Sequence, residues 1–253
     1  MNPPRFFCRM PLSKGLRADL PEGVARHVSK VLRLRENDLV TLFDGSGGEY
    51  VARIVASGRS AVSVEVLEWH ALERESPLVI TLVQALQAGE KMDLTVQKAV
   101  ELGVSSIVPV VSRRGVVRLE GERAVRRVEH WRAVAASACE QCGRNRVPGV
   151  AALTGLERWL AQASQPNVRR LMLAPGAPDT LATLTVPLAG ERIELLIGAE
   201  GGLAPEEMQA AGQAGFLTVR LGPRVLRTET AGLAALAAMQ CLWGDFRERD
   251  SHV

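Results

Sequence analysis

The spacing of apolar residues changes near residue 72. Before that point come short alternating runs, DLVTLFDG, GGEYVARIVASG and SAVSVEVLEW, broken by glycine-rich turns. Strands of this length and spacing predict a small antiparallel barrel or sandwich. Ahead of them, PEGVARHVSKVLRL places Val24, His27, Val28, Val31 and Leu32 at helical intervals, which predicts a helix with His27 packed in the core. The charged stretch ALERESP, residues 71 to 77, reads as a linker.

Beyond the linker, strand and helix patterns alternate. PLVITLVQAL predicts a strand, KMDLTVQKAVELG a helix closed by Gly103, and SIVPVVS another strand. A long helix is expected from about Glu122 to Cys142, ending at Gly143. It is followed by a helix at LERWLAQA, strands at RRLMLA and IELLIG, a helix from Pro205 to Gly212, a strand at FLTVRLG and a last helix from about Glu229 to Trp243. This βα alternation implies an α/β fold with a mostly parallel sheet, and ligands are expected at the carboxyl ends of its strands.

At 253 residues and 47% hydrophobic content the chain can bury one large core or two moderate ones. Its apolar runs are far shorter than a membrane span, and MNPPRFFCRM has no signal-peptide apolar region, so a cytoplasmic protein is expected. The four cysteines show no framework spacing. Cys139 and Cys142 form a CEQC, but no second pair completes a tetrahedral metal site, and buried thiols at a helix end are the simpler reading. The net charge is only +3, yet Ser112 to Gly149 holds nine arginines against four glutamates. Such a stripe is either a footprint for phosphate or a solvated helix face. Arginine outnumbers lysine 27 to 4, which suits planar contact with phosphates and base edges.

Two strand-to-helix junctions carry candidate chemistry. In LLIGAEGGLAPEEM, Gly198, Gly201 and Gly202 let the chain bend and a ligand approach the backbone, and Pro205 starts the next helix. The match to a dinucleotide fingerprint fails and no phosphate-binding lysine follows. Glu200 would repel phosphate, so a neutral or cationic ligand fits better, although a plain tight turn also explains the glycines. In LGPRVLRTETA, Gly222 and Pro223 turn the chain, Thr228 or Thr230 can cap the following helix, and Glu229 suits its first turn. Arg224 and Arg227 are not explained by capping, because cations at a helix N-terminus oppose its dipole. They point to an external anion or to charge that develops during a reaction.

KMDLTVQKAVELGV, CEQCGRNRVP, LLIGAEGG and LGPRVLRTETA, in this order, resemble the RsmE family, methyltransferases of uridine N3 in small-subunit (16S) ribosomal RNA. The resemblance covers almost the whole chain. It implies a PUA-like RNA-binding β-barrel domain at residues 1–72. At 73–253 it implies a SPOUT-type domain whose C-terminal segment forms a trefoil knot and binds S-adenosylmethionine (SAM), with no metal. Ala199 stands where the family usually has proline. The implied cofactor pocket is walled by Ile197, Gly198 and Gly201, by Leu221, Gly222, Leu226 and Thr228, and by the strand end at Leu173. Arg227 is the implied electrostatic catalyst, because an arginine stabilises the uracil anion but cannot take its proton. Glu229 is a weaker candidate for proton acceptor, since a helix N-terminus lowers a carboxylate pKa.

RNA contact is expected from Arg5 and Arg9 near the start of the chain and from Arg144 and Arg146 in CGRNRVP. The last helix presents Leu233, Leu236, Met239 and Gln240 among alanines. Periodicity alone favours a core helix, whereas the resemblance implies a homodimer packed through this domain. Methylation at another RNA position, and ribosome binding without catalysis, remain alternatives.

Overall fold

The computed structural model describes residues 3–58, 61–162 and 166–247. The chain divides into two compact units, Met1–Glu75 with Ala136–Val147, and Ser76–Ala135 with Pro148–Val253. The segment around CEQCGRNRV thus belongs with the N-terminal residues, which a single cut near residue 72 does not capture.

In the first unit, β1 (Arg5–Phe7), β2 (Arg17–Asp19), β3 (Leu39–Phe43), β4 (Glu49–Ser57) and β5 (Val62–His70) form one sheet in the order β1-β3-β4-β5-β2. All pairings are antiparallel except β1 with β3. Alternation along the strands puts Phe6, Val40, Leu42, Ile54 and Val64 on one buried face.

The expected helix over 21–34 is interrupted. The helix α1 (Glu22–Arg26) passes into a π-helical turn at His27–Val31, where the Leu32 N–H reaches back to the His27 carbonyl at 3.0 Å. The wider turn rotates the apolar stripe, so Val28 stays buried while Val31 and Leu32 are 66% and 41% exposed. His27 is also exposed rather than a core residue, with its ring edge-on to Phe6 at a centroid distance of 5.6 Å.

The second unit alternates as its sequence predicts, although the last part of its long helix, from Ala136, belongs to the first unit. β6 (Val79–Ala85), α2 (Lys91–Glu101), β7 (Ser106–Val111) and α3 (Gly121–Cys142) come first. Gly103 and Gly143 terminate the two helices with φ of +80° and +86°, a conformation that suits glycine. Next come β8 (Gly149–Val150), β9 (Thr154–Gly155), α4 (Leu156–Leu160), β10 (Val168–Leu173) and β11 (Asp179–Thr180). The expected helix LERWLAQA is thus a short one, and its Ala163 lies outside the described residues. The unit ends with β12 (Arg192–Ile197), α5 (Pro205–Gln213), β13 (Leu217–Arg220) and α6 (Thr228–Trp243).

The parallel sheet runs β11-β13-β10-β12-β6-β7-β8, with β9 also paired to β7. Strand β6 and the carboxyl-terminal halves of β10 and β12 are buried on both faces, which explains the apolar runs there. Helix α6 packs on α2 and β12. Its Leu236, Met239 and Gln240 are buried within the unit, and Gln240 donates to the Leu102 carbonyl at 2.9 Å and accepts from the Ser76 hydroxyl at 2.8 Å. Three of the four residues singled out on this helix therefore serve this unit's own core, as periodicity alone favours.

Candidate active site

The loops that leave the carboxyl ends of β10, β12 and β13 converge with the first turn of α6 around a cavity of about 550 Å³. A space of this size accommodates a nucleoside-sized ligand. Its apolar wall comes from Leu173, Ile197, Leu203, Leu221 and Leu226, with Met172 and Met208.

Glycine is required in the β12 loop for lack of room. A Cβ on Gly198 would stand 3.0 Å from the Gly202 carbonyl carbon and 3.1 Å from the Leu203 nitrogen. The loop folds back on itself, with the Gly202 N–H donating to the Ala199 carbonyl at 2.8 Å and Gly202 at φ +70°. The next helix is held by Glu207, which is buried and accepts the Ala204 and Arg113 N–H groups at 2.8 Å each. That carboxylate satisfies one donor at the open end of α5.

The two site loops are tied together beneath the cavity. Gln84, fully buried on β6, donates to the Thr228 hydroxyl at 3.2 Å, and Thr228 donates to the Gly198 carbonyl at 2.5 Å. Thr228 is thus not a helix cap. Residue 227 occupies the cap position without a side-chain cap, and the Thr228 hydroxyl is used to join the β12 loop to the start of α6. Nor does Thr230 supply the cap.

Charge is concentrated at the cavity edge. Lys91, the first residue of α2, has its Nζ 3.4 Å from Glu229 Oε1 and 3.6 Å from Glu200 Oε1. Glu200 also accepts the Ala88 N–H at 3.2 Å. The Glu229 carboxyl is held below its ordinary range, first by its own backbone N–H at the helix start, then by Lys91 and Arg227, against an opposing push from burial. Its second oxygen is buried with no hydrogen-bond partner among the described residues. Arg224 and Arg227 line the cavity, are exposed, and have no hydrogen bond or ion pair to their guanidinium groups among the described residues. The site therefore combines an apolar wall, two carboxylates bridged by Lys91, and two arginines with no partner among the described residues.

Residues 74–240 match the family model of the RNA methyltransferase domain, and residues 20–67 match that of the RNA methyltransferase PUA domain. The chain belongs to the ribosomal RNA small subunit methyltransferase E family. The Buchnera aphidicola (strain APS) member is 31% identical over 244 residues, covering 96% of this chain and 95% of that protein. The Bacillus subtilis member is 30% identical over 220 residues, covering 84% and 85%. The crystal structure of the Neisseria gonorrhoeae member, bound to S-adenosyl methionine, superposes with a TM-score of 0.92 at 44% identity, covering 97% of this chain and all of that one. A methyltransferase from Legionella pneumophila in complex with SAM gives 0.91 at 34% identity, with the same coverage.

Of the residues that this family's pattern singles out, Leu173, Ile197, Gly198, Leu221, Gly222, Leu226, Arg227, Thr228 and Glu229 all line the one cavity. Gly201 does not. It packs against Arg114, whose Cβ and carbonyl oxygen would stand 3.2 and 3.3 Å from an added Cβ, and Gly202 takes the place at the cavity. Lys91 was missed by sequence reasoning. The available signal was a cation at a helix N-terminus, where it opposes the dipole unless carboxylates face it.

The arginines expected to touch RNA separate into two kinds. Arg144 is 4% exposed and its guanidinium grips Glu75, so it braces the first unit instead of facing solvent. Arg5 is similarly committed, to Glu49, to Asn145 Oδ1 at 2.6 Å and to the Gly143 carbonyl at 3.3 Å. Burial would raise the Glu49 pKa, but Arg5, Arg74 and Asn145 together hold it below the ordinary value. Arg9 and Arg146 are exposed, and Arg146 lies 3.4 Å from Glu73. Cys139 is buried, and that burial pushes its thiol up to about 12, the opposite of what a redox or metal-binding thiol needs.

Proposed function

We propose that this protein methylates N3 of a uridine in small-subunit (16S) ribosomal RNA, with SAM as the methyl donor. The observation that carries the reading is Arg227, an uncommitted guanidinium at the edge of an apolar cavity built from the β12 and β13 loops. Bound SAM supplies an electrophilic methyl group on a sulfonium. Glu200 and Glu229 are both paired with Lys91 at the cavity edge, and the second Glu229 oxygen, with no partner among the described residues, can accept a donor from a ligand. The backbone around Gly198 and Gly222 and the leucine side chains would hold the adenine.

Uridine N3 carries a proton at neutral pH, and its loss leaves negative charge shared with the flanking carbonyl oxygens. In this reading Arg227 stabilises that charge electrostatically as it develops. Glu229 is a poor proton acceptor because its lowered pKa makes it a weak base. Its role is to anchor Lys91 and the helix start, and the proton passes to another base or to water.

The same reading assigns residues 1–72 as a PUA-like barrel that grips RNA through Arg9 among others, joined by Arg146 from the 136–147 segment that belongs to the same compact unit, and 73–253 as the SPOUT catalytic domain. The single buried face of the β1-β3-β4-β5-β2 sheet is compatible with a barrel. The placement of β13 outside β10, followed at once by the return of α6 onto α2 and β12, supports a trefoil knot. A homodimer packed through α6 would use its remaining face, where Leu233, Ala234, Ala237 and Ala238 are only partly covered. Action on ribosomal RNA implies a cytoplasmic enzyme.

The test is to incubate the protein and SAM with small subunits that lack the modification, then digest the RNA and identify the methylated nucleoside by mass spectrometry. 3-Methyluridine is expected. A ribose 2′-O-methyl product would overturn the N3 assignment, and no methyl transfer would overturn the enzyme reading.

A further inference from the structure

The turn at residues 26–35 has three features that its packing does not explain. It contains a π-helical turn, a rare backbone form that recurs at functional sites. It leaves Val31 and Leu32 exposed, at 66% and 41%, where a regular helix would have continued the apolar stripe. It also holds Arg33 at φ +54°, a left-handed conformation that is costly for a long side chain.

Charge surrounds this apolar tip. From Gly23 to Arg35 the sequence holds Arg26, Lys30, Arg33 and Arg35 and no carboxylate, and all four cations are exposed. Only Arg26 has an ion pair among the described residues, with Glu22 at 3.1 Å. Asp38 accepts the Arg35 backbone N–H at 2.7 Å, which fixes the end of the turn but leaves the Arg35 guanidinium outward.

We infer that this turn is an RNA-docking knob, in which Lys30, Arg33 and Arg35 take backbone phosphates and Val31 and Leu32 rest against a base or sugar. The inference rests on the reading of the N-terminal unit as the part that grips RNA, and it names the surface that does so. A phosphate chain supplies continuous negative charge to a cluster of cations, whereas two apolar side chains are too few to anchor a membrane or a protein core. Phosphate contacts set position, and the apolar tip adds a contact that salt does not screen.

The test measures binding of the full-length protein to naked small-subunit ribosomal RNA as a function of salt. Lys30→Ala with Arg33→Asn should weaken binding about tenfold near 0.1 M salt and reduce the salt slope by about 1.5, since two counterion-releasing contacts are lost. Asparagine accepts a left-handed backbone, so this variant should melt no lower than the parent. Val31→Ser with Leu32→Ser should weaken binding with the slope unchanged. SAM affinity should be unaffected in both. If both variants bind normally while Arg9→Ala with Arg146→Ala binds weakly, the knob is wrong and the N-terminal RNA reading stands. If all three bind normally, both fall. Loss of binding to intact small subunits but not to naked RNA would mean a protein contact, and would also overturn the inference.

Discussion

The ammonium of Lys91 lies 3.4 Å from Glu229 Oε1, joining the first residue of α2 to the first turn of α6 at the cavity edge. Lys91 opposes the dipole of its own helix, so its position makes sense through Glu229 and Glu200. The Glu229 pKa is depressed in the folded protein, so this group contributes stability above its unfolded value of about 4.5 and loses it as pH falls through the lower folded value. Lys91→Met removes one cause of the depression. The variant should melt below the parent at pH 7, and the gap should narrow as pH falls below about 4.5. A gap that stays constant from pH 7 to 3 would contradict this coupling.

Arg144 and Arg146 are separated by one residue yet should behave in opposite ways. Arg144→Ala strands Glu75 without its buried partner, which should cost about 3 kcal/mol of stability. The salt dependence of RNA binding should remain that of the parent for whatever fraction stays folded. Arg146→Ala removes an exposed group and should change stability little. Combined with Arg9→Ala, it should flatten the salt dependence. Urea titration alongside RNA binding at several salt concentrations separates the two arginines, and a stable Arg144→Ala protein with a flattened salt slope would reverse the assignment.

The thiols provide an independent check on CEQC. Cys8 and Cys139 are buried, and burial pushes each up to about 12, whereas Cys241 is exposed. Because the thiolate is the reactive form, iodoacetamide at pH 8 should modify Cys241 first and leave Cys8 and Cys139 untouched in the native protein. Rapid modification of Cys139 would restore the redox or metal reading of the pair.

What the sequence makes legible follows from how local each signal is. The β6-to-α6 alternation could be read because the apolar period of each segment reports its burial directly, and the two glycine-rich junctions stood at strand ends where ligands are expected. The π-helical turn at His27–Val31 could not be read, since periodicity assumes the regular helix that this turn abandons. Arg5 and Arg144 were expected to touch RNA, and position along the chain gave no sign that their guanidinium groups are held by distant Glu49 and Glu75. Periodicity alone favours a core position for Gln240, and it is fully buried, but its partners were not legible. Its partners Leu102 and Ser76 come from far earlier in the sequence.

Adjacent residues Arg227 and Thr228 should divide chemistry from architecture. Arg227 is exposed at the cavity with no guanidinium partner among the described residues, so Arg227→Lys should leave the melting temperature and SAM affinity near those of the parent. Lysine keeps the charge but loses the planar fork that can meet a carbonyl of the uracil anion. A lost donor at a developing anion costs about 3 kcal/mol, so the single-turnover methylation rate should fall about 10²-fold or more. Thr228→Val keeps the shape but removes the hydroxyl that links Gln84 to Gly198. It should lower stability by about 1–3 kcal/mol and weaken SAM binding, because Gln84 loses a buried partner and the β12 loop loses its tie. The two variants thus predict opposite patterns across rate, SAM affinity and melting temperature. If Arg227→Lys instead lowers stability and SAM affinity together, its guanidinium is a structural brace; if its single-turnover rate is normal, the catalytic role is gone.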